Sequence, residues 1–287
     1  MFDTHVHSAA SPDSEMSPEV AIAAAAAKGL GITFTEHVDY SDENAKRDPN
    51  ATDAIRGVGD FVCDFTTYPA GYRKFRGAEV SLGLEFGLTH AFLAENKKLA
   101  AGDYDFILGS IHSVDGVEIY QACAGNLPNE PYAQAILSDD TDAVRGCIRR
   151  YLQYSAEMVQ LSDFFDSFGH IDYIARYLPL ASENFFYENF ADEFDILLRM
   201  IAEREIALEI NTKFLVSGGQ FPARTSGEVM QKICRRFREL GGRLCTIGSD
   251  AHREGNVGHG ISAGHELAAA AGLATVHFRE RKPVHCG

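Results

Sequence analysis

Phe2-Asp3-Thr4-His5-Val6-His7 opens the chain, and the rest of the molecule is organised around it. Read as a β-strand, Phe2, Thr4 and Val6 face one way and Asp3, His5 and His7 the other, because strand side chains alternate with period two. Two imidazoles at i and i+2 stand roughly 7 Å apart on one face, close enough to converge on a single metal ion. Asp3, two residues upstream, is placed to hold an imidazole through its other ring nitrogen. Alone, an H-x-H pair more often marks a strand with two partly exposed histidines. The rest of the chain decides between the readings.

Moving outward, Ser17-Pro18-Glu19 reads as an N-cap, a proline at the first helical position and an acidic first turn. Alanines carry that helix to Lys28, and Gly29 ends it. Strand Ile32–Thr35 comes next and delivers Glu36 and His37, completing a β-α-β unit. The spacing predicts a third strand within Arg73–Val80 ending at Glu79, a fourth at Phe106–Ile111 ending at His112, and a fifth at Ser167–Ile171 carrying His170. A sixth, Ala207–Ile210, runs into Asn211, and a seventh, Leu244–Ile247, ends in Gly248-Ser249-Asp250-Ala251-His252. Helices are expected at 92–101, 140–161, 185–205 and 263–271, with another opened by a Thr225–Glu228 capping box. Ala274–Phe278 reads as a closing strand, and Asp39–Asp64 as a long loop over the site. Strands alternating with helices along the whole chain predict an α/β fold, a parallel sheet closed into a TIM-like barrel of about seven strands, with residues 1–287 as one domain.

Composition narrows the function. The formal net charge is -15, which repels phosphate backbones and argues against a nucleic-acid partner. The six cysteines form no C-x-x-C pair and the N-terminus resembles no signal peptide, so a reducing, cytoplasmic setting is expected. No run approaches the ~20 apolar residues of a membrane span. The sequence does not speak to oligomeric state.

Laid on this map, six of the eleven histidines fall at strand C-termini: His5, His7, His37, His112, His170 and His252. Glu79 and Asp250 join them, and Asp13 stands in the loop after the first strand, where its ordinary reading is a turn residue. In a β/α barrel these ends share one face, where active sites are built. Imidazoles with carboxylates suit zinc, iron or manganese better than magnesium or calcium. The set exceeds what one or two ions need, so three ions become plausible with Asp13.

The ordered motifs Asp3-Thr4-His5-Val6-His7, Thr35-Glu36-His37, Gly77-Ala78-Glu79, Gly109-Ser110-Ile111-His112, Gly169-His170-Ile171-Asp172 and Gly248-Ser249-Asp250-Ala251-His252 resemble the PHP (polymerase and histidinol phosphatase) superfamily, most closely its histidinol-phosphate phosphatase branch. The resemblance covers residues 2 to about 272. It implies a distorted (β/α)7 barrel with a trinuclear metal site and hydrolysis of a small phosphate monoester, L-histidinol phosphate, in histidine biosynthesis. It also implies three ligand groups: His5, His7, Glu79 and Asp250; Glu79, His112 and His170; Asp13, His37 and His252. Asp13 stands where many members carry histidine. On this reading a metal-bridging hydroxide attacks phosphorus. Asp3 supports a ligand, and Arg176 is the candidate phosphate fork, with Lys213 a lesser one and Asn211 near the substrate. The imidazole and amine of such a substrate call for acidic or aromatic partners, sought in Asp39–Asp64. The rival readings are a PHP phosphoesterase for small nucleotides, an amidohydrolase-like metallohydrolase with a bridging lysine, and a non-catalytic metal-binding domain.

Overall fold

The computed structural model describes residues 1–41, 59–177, 185, 187–216 and 227–286. Most of the expected Asp39–Asp64 loop and the Thr225–Ser226 cap lie outside the described residues. Seven strands form the barrel: β1 Phe2–Val6, β2 Gly31–Asp39, β3 Val80–Gly87, β4 Phe106–Ser110, β5 Ser167–Phe168, β6 Ala207–Asn211 and β7 Leu244–Gly248. They pair in that order, all parallel, from β1 to β7. The two ends of the row meet through a parallel bridge between Val6 and Ala251, with His7 N donating to Ala251 O at 2.9 Å and Thr4 Oγ1 to Ile247 O at 2.9 Å. One bridge where a ladder would stand makes this a distorted barrel.

The expected closing strand instead runs as β8, Ala274–Arg279, parallel to the start of β7, and turns back antiparallel into β9, Lys282–His285. This hairpin covers the barrel's N-terminal end, where His277 stacks on Phe2 at 3.8 Å and Phe278 on Phe106 at 5.3 Å. Around the barrel lie α1 Pro18–Ala27, α2 Leu93–Ala100, α3 Ile119–Cys123, α4 Pro131–Ile136, α5 Thr141–Leu161, α6 Ala191–Glu203, α7 Gly227–Glu239 and α8 Ile261–Ala271. In α1 the Ser17 side chain accepts from Val20 N with Pro18 next in line, the cap expected from sequence. The short helices α3 and α4, absent from the sequence reading, fill the span between β4 and α5.

The third strand is displaced from its expected place. Ala70–Phe75 forms a 3-10 helix, and β3 begins only at Val80. Its own alternation sets this register: Val80, Leu82, Leu84 and Phe86 alternate with Ser81, Gly83, Glu85 and Gly87. The larger side chains pack under the helices and the small ones point inward, where strand backbones crowd. A Cβ on Gly83 would press on the carbonyl oxygens of Phe106 and Phe34 in both neighbouring strands. Gly83→Ala should therefore lower stability by about 1–3 kcal/mol, read as a lower urea midpoint with an unchanged m-value.

Candidate metal centre and substrate pocket

The inward face of β3 carries Glu85 to the middle of the C-terminal face, and imidazoles surround it. Glu85 Oε1 lies 2.8 Å from His170 Nε2 and 3.3 Å from His112 Nε2. Glu85 Oε2 lies 3.2 Å from His5 Nε2, 3.4 Å from His7 Nε2 and 3.2 Å from His37 Nδ1. Glu79 takes no part: it is exposed in the turn before β3, at the opposite end of the barrel. The expectation for Glu79 is corrected to Glu85, six residues on, because the strand starts where the sequence reading ended it.

The remaining expected residues converge. Asp250 Oδ1 lies 3.9 Å from His5 Nε2 and 3.7 Å from His7 Nε2. Asp13 Oδ2 lies 2.7 Å from His252 Nε2 and 3.6 Å from His37 Nε2. His7 stacks between His37 at 4.0 Å and His252 at 4.3 Å. Asp250 has φ 52°, a left-handed conformation that aspartate tolerates better than most residues, at the turn leaving β7.

Asp3 plays a different part from the one expected. Its carboxylate accepts from Ser249 N at 2.9 Å, Ser249 Oγ at 2.6 Å and Gly258 N at 2.7 Å, and so ties the loop after β7 to β1. The His5 imidazole is held instead by Glu209 of β6, at 2.7 Å from Nδ1. Glu209 also accepts from His170 N at 2.6 Å. Asp39, at the end of β2, holds His112 Nδ1 at 2.7 Å. Glu36 accepts from Ser8 Oγ and Ser11 Oγ at 2.5 Å each, and His37 N donates to Ser11 Oγ at 3.0 Å. Glu85, Glu209 and Asp39 were missed by the sequence reading. One signal was available: Glu85 and Glu209 are acidic residues in the middle of apolar, alternating strands, where a charge has no solvent to face.

The electrostatics arise from crowding charge in a buried space. Burial by itself would keep His5 neutral, but Glu85, Glu209 and Asp250 together push its pKa well above the usual value. His37 moves the same way against burial, through Glu85 and Asp13, and His112 rises to about 10 through Asp39 and Glu85. Burial and neighbouring positive charge lower His7, His170 and His252. Burial opposes ionisation of Glu85 and Asp250, yet the surrounding imidazoles, with Lys213 and Arg176 at Asp250, hold both well below the carboxylate range.

This donor set fits metal ions. His5 Nε2 and His7 Nε2 face each other at 3.0 Å, and His112 Nε2 and His170 Nε2 at 3.4 Å. Lone pairs so close call for a shared cation, a proton or a metal. Among the described residues, His37 Nδ1 and Asp39 Oδ2 are buried without a hydrogen bond. Five trios have their ligand atoms mutually within 4.8 Å, among them His5-His7-Glu85, Glu85-His112-His170 and His7-His37-His252. Beside them opens a cavity of about 360 Å³ lined by Arg176, Lys213, Glu118, Tyr173 and Tyr177. Arg176 is buried, donates from Nη1 to Asp250 Oδ2 at 2.8 Å, and among the described residues leaves Nε without a hydrogen bond. Lys213 Nζ donates to Asp250 Oδ1 at 3.1 Å. Asn211 turns to Glu209, at 3.3 Å.

The PHP domain model matches residues 3–213. The chain belongs to the PHP domain family. The chain is 31% identical over 282 residues to a protein of Clostridium acetobutylicum named "Probable histidinol-phosphatase", covering 98% of each chain. It is 30% identical to the histidinol-phosphatase of Lactococcus lactis, over 88% of this chain and 84% of the relative. In three dimensions it resembles, with a TM-score of 0.78 and 26% identity, the crystal structure of a Lactococcus lactis histidinol phosphate phosphatase complexed with zinc, L-histidinol and phosphate, covering 99% of this chain and 98% of that one.

This geometry sets two expected outcomes. Glu85→Ala should lose at least one equivalent of bound metal after dialysis, by elemental analysis, whereas Glu79→Ala should keep the wild-type content. Glu209→Gln should weaken metal affinity roughly 10–100-fold, by competition with a chelator, because it removes the partner that orients His5.

Proposed function

We propose that this PHP domain is a metal-dependent phosphatase that hydrolyses L-histidinol phosphate to L-histidinol and phosphate. The observation that carries the reading is the convergence of six imidazoles on Glu85 and Asp250 next to a cavity whose two cations, Arg176 and Lys213, both reach Asp250. The names of the relatives support the substrate. We assign His5, His7, Glu85 and Asp250 to one ion, Glu85, His112 and His170 to a second, and Asp13, His37 and His252 to a third. The ions are zinc, iron or manganese, as the nitrogen-rich donor set favours. The chemistry such ions supply when bound is Lewis acidity, which ionises water near neutral pH and offsets charge growing on phosphoryl oxygens.

The chain's own groups do the rest. Glu209 and Asp39 fix the His5 and His112 rings, so those ligands need little rearrangement. Arg176 and Lys213 draw the phosphoryl group into the cavity, and the free Nε leaves the Arg176 guanidinium a donor for a phosphate oxygen. Tyr173 and Tyr177 wall the cavity and limit water around the ester. The acidic balance of the chain favours a small phosphorylated substrate over nucleic acid. Six free cysteines support cytoplasmic placement, and among the described residues no helix is long and apolar enough to cross a membrane.

The test is a metal analysis of purified protein paired with a phosphate-release screen that includes L-histidinol phosphate and common nucleotides. Two or more metals per chain and preferential release from L-histidinol phosphate are expected. Chelation should abolish turnover, and zinc or manganese should restore it. Fewer than two metals per chain, or no hydrolysis of any monoester, would overturn the proposal.

A further inference from the structure

The cavity beside the histidines has a second pole. Glu118 ends the small antiparallel hairpin of Ser113–Val114 with Val117–Glu118, and lines the same cavity as Arg176. Its carboxylate accepts from Tyr120 N at 3.1 Å and Gln121 N at 2.6 Å, which caps α3, and lies 3.5 Å from Tyr173 Oη. The cap accounts for its neutral partners, and the cation acting on its charge is the His112 imidazolium, which is already shared with Asp39 and Glu85. Among the described residues no lysine or arginine pairs with Glu118, while both cations of the cavity are committed to Asp250. Burial pushes its carboxyl up to about 7, against the N–H groups of Gln121 and Tyr120 that favour its charged form.

Tyr173 separates the two poles. Its ring lies 4.8 Å from the His112 ring and 5.5 Å from Arg176 Cζ, while its hydroxyl points to Glu118. The Tyr177 ring, 5.2 Å away, extends the wall. A carboxylate that no lysine or arginine pairs among the described residues, set among tyrosine rings, is the chemistry that takes an ammonium group, through a charge-assisted hydrogen bond and the ring faces.

We propose that Glu118 binds the ammonium group of the substrate's alcohol half, and so selects amino-alcohol phosphate monoesters over uncharged ones. The proposal rests on the phosphatase reading above and names the residue that gives it specificity. A phosphoryl group at Arg176 and an ammonium at Glu118 would lie one tyrosine ring apart, the span of a short amino alcohol.

The experiment compares kcat/KM for L-histidinol phosphate with that for its des-amino analogue, 3-(imidazol-4-yl)propyl phosphate, in wild type and Glu118→Gln. Glutamine keeps an acceptor for the α3 cap and removes the charge. The wild type should prefer the amine about tenfold or more, and the substitution should collapse that ratio to near one, chiefly through KM. A wild-type ratio near one overturns the proposal without any variant. So does a ratio in Glu118→Gln within twofold of the wild type, whatever the absolute rates, since a cap lost from α3 would slow both substrates together. Failure of the phosphatase reading looks different: no monoester is then hydrolysed by the wild type at all.

Discussion

The structure depends on one buried carboxylate. Glu85 is almost wholly inaccessible, and among the described residues no lysine or arginine pairs with it; its neighbours are the imidazoles of His5, His7, His37, His112 and His170. A charged carboxylate out of water is tolerated only with positive charge close by. Here that charge is conditional, because an imidazole carries it only when protonated, and a metal ion can stand where the proton would. The barrel strands meet this requirement each in its own way. β1 and the residue after it bring His5 and His7, β2 brings His37, and the loops after β4 and β5 bring His112 and His170, while Asp39 of β2 and Glu209 of β6 hold two of these rings. The barrel's alternating pattern lets strands that bury large apolar groups outward place these polar ones inward.

Much of this was legible in the chain. The β-α alternation announced a barrel, and seven strands form it, because hydrophobic periodicity is a local property that the parallel sheet does not override. His5, His7, His112, His170, Asp250 and His252 were readable since each sits at or just beyond a strand's end, several of them flanked by small residues such as Gly109, Gly169 and Gly248. Gly248 shows why smallness matters there: a Cβ on it would run into His5 Cβ and lie 2.6 Å from Glu209 Oε1.

The misreadings have two causes. Glu79 comes after a glycine-alanine pair and looks like the end of a strand, but it is the turn that precedes one. A one-element slip put the expected carboxylate at Glu79, whereas the one that sits among the imidazoles is Glu85. Asp3 and Glu209 show the complementary limit. Asp3 is near His5 in sequence, but its oxygens meet N–H groups left unpaired in the loop after β7, which are stronger claims on a carboxylate than a ring already partnered. The partner that does hold His5 comes from a strand some two hundred residues away, and no local pattern encodes a contact across the barrel axis.

The two ends of the barrel handle buried charge in opposite ways, and the contrast separates structure from chemistry. At the N-terminal end, Arg76 grips Asp105 with two nitrogens at 2.9 and 2.8 Å, and Arg281 holds Asp166 at 2.6 Å. Asp105 and Asp166 also accept from the backbone of Leu82 and Ile107, so each carboxylate is answered by permanent charge and by the sheet itself. Such pairs lock strands and leave nothing for a ligand. At the C-terminal end the carboxylates of the centre face imidazoles, and the permanent cations Arg176 and Lys213 at Asp250 border the cavity. A barrel built only for stability would have closed both ends as it closes the first. The conditional charge at the other end, carried by imidazoles, is concentrated where a metal and a phosphate ester would complete it, and the rigid base holds those groups in place.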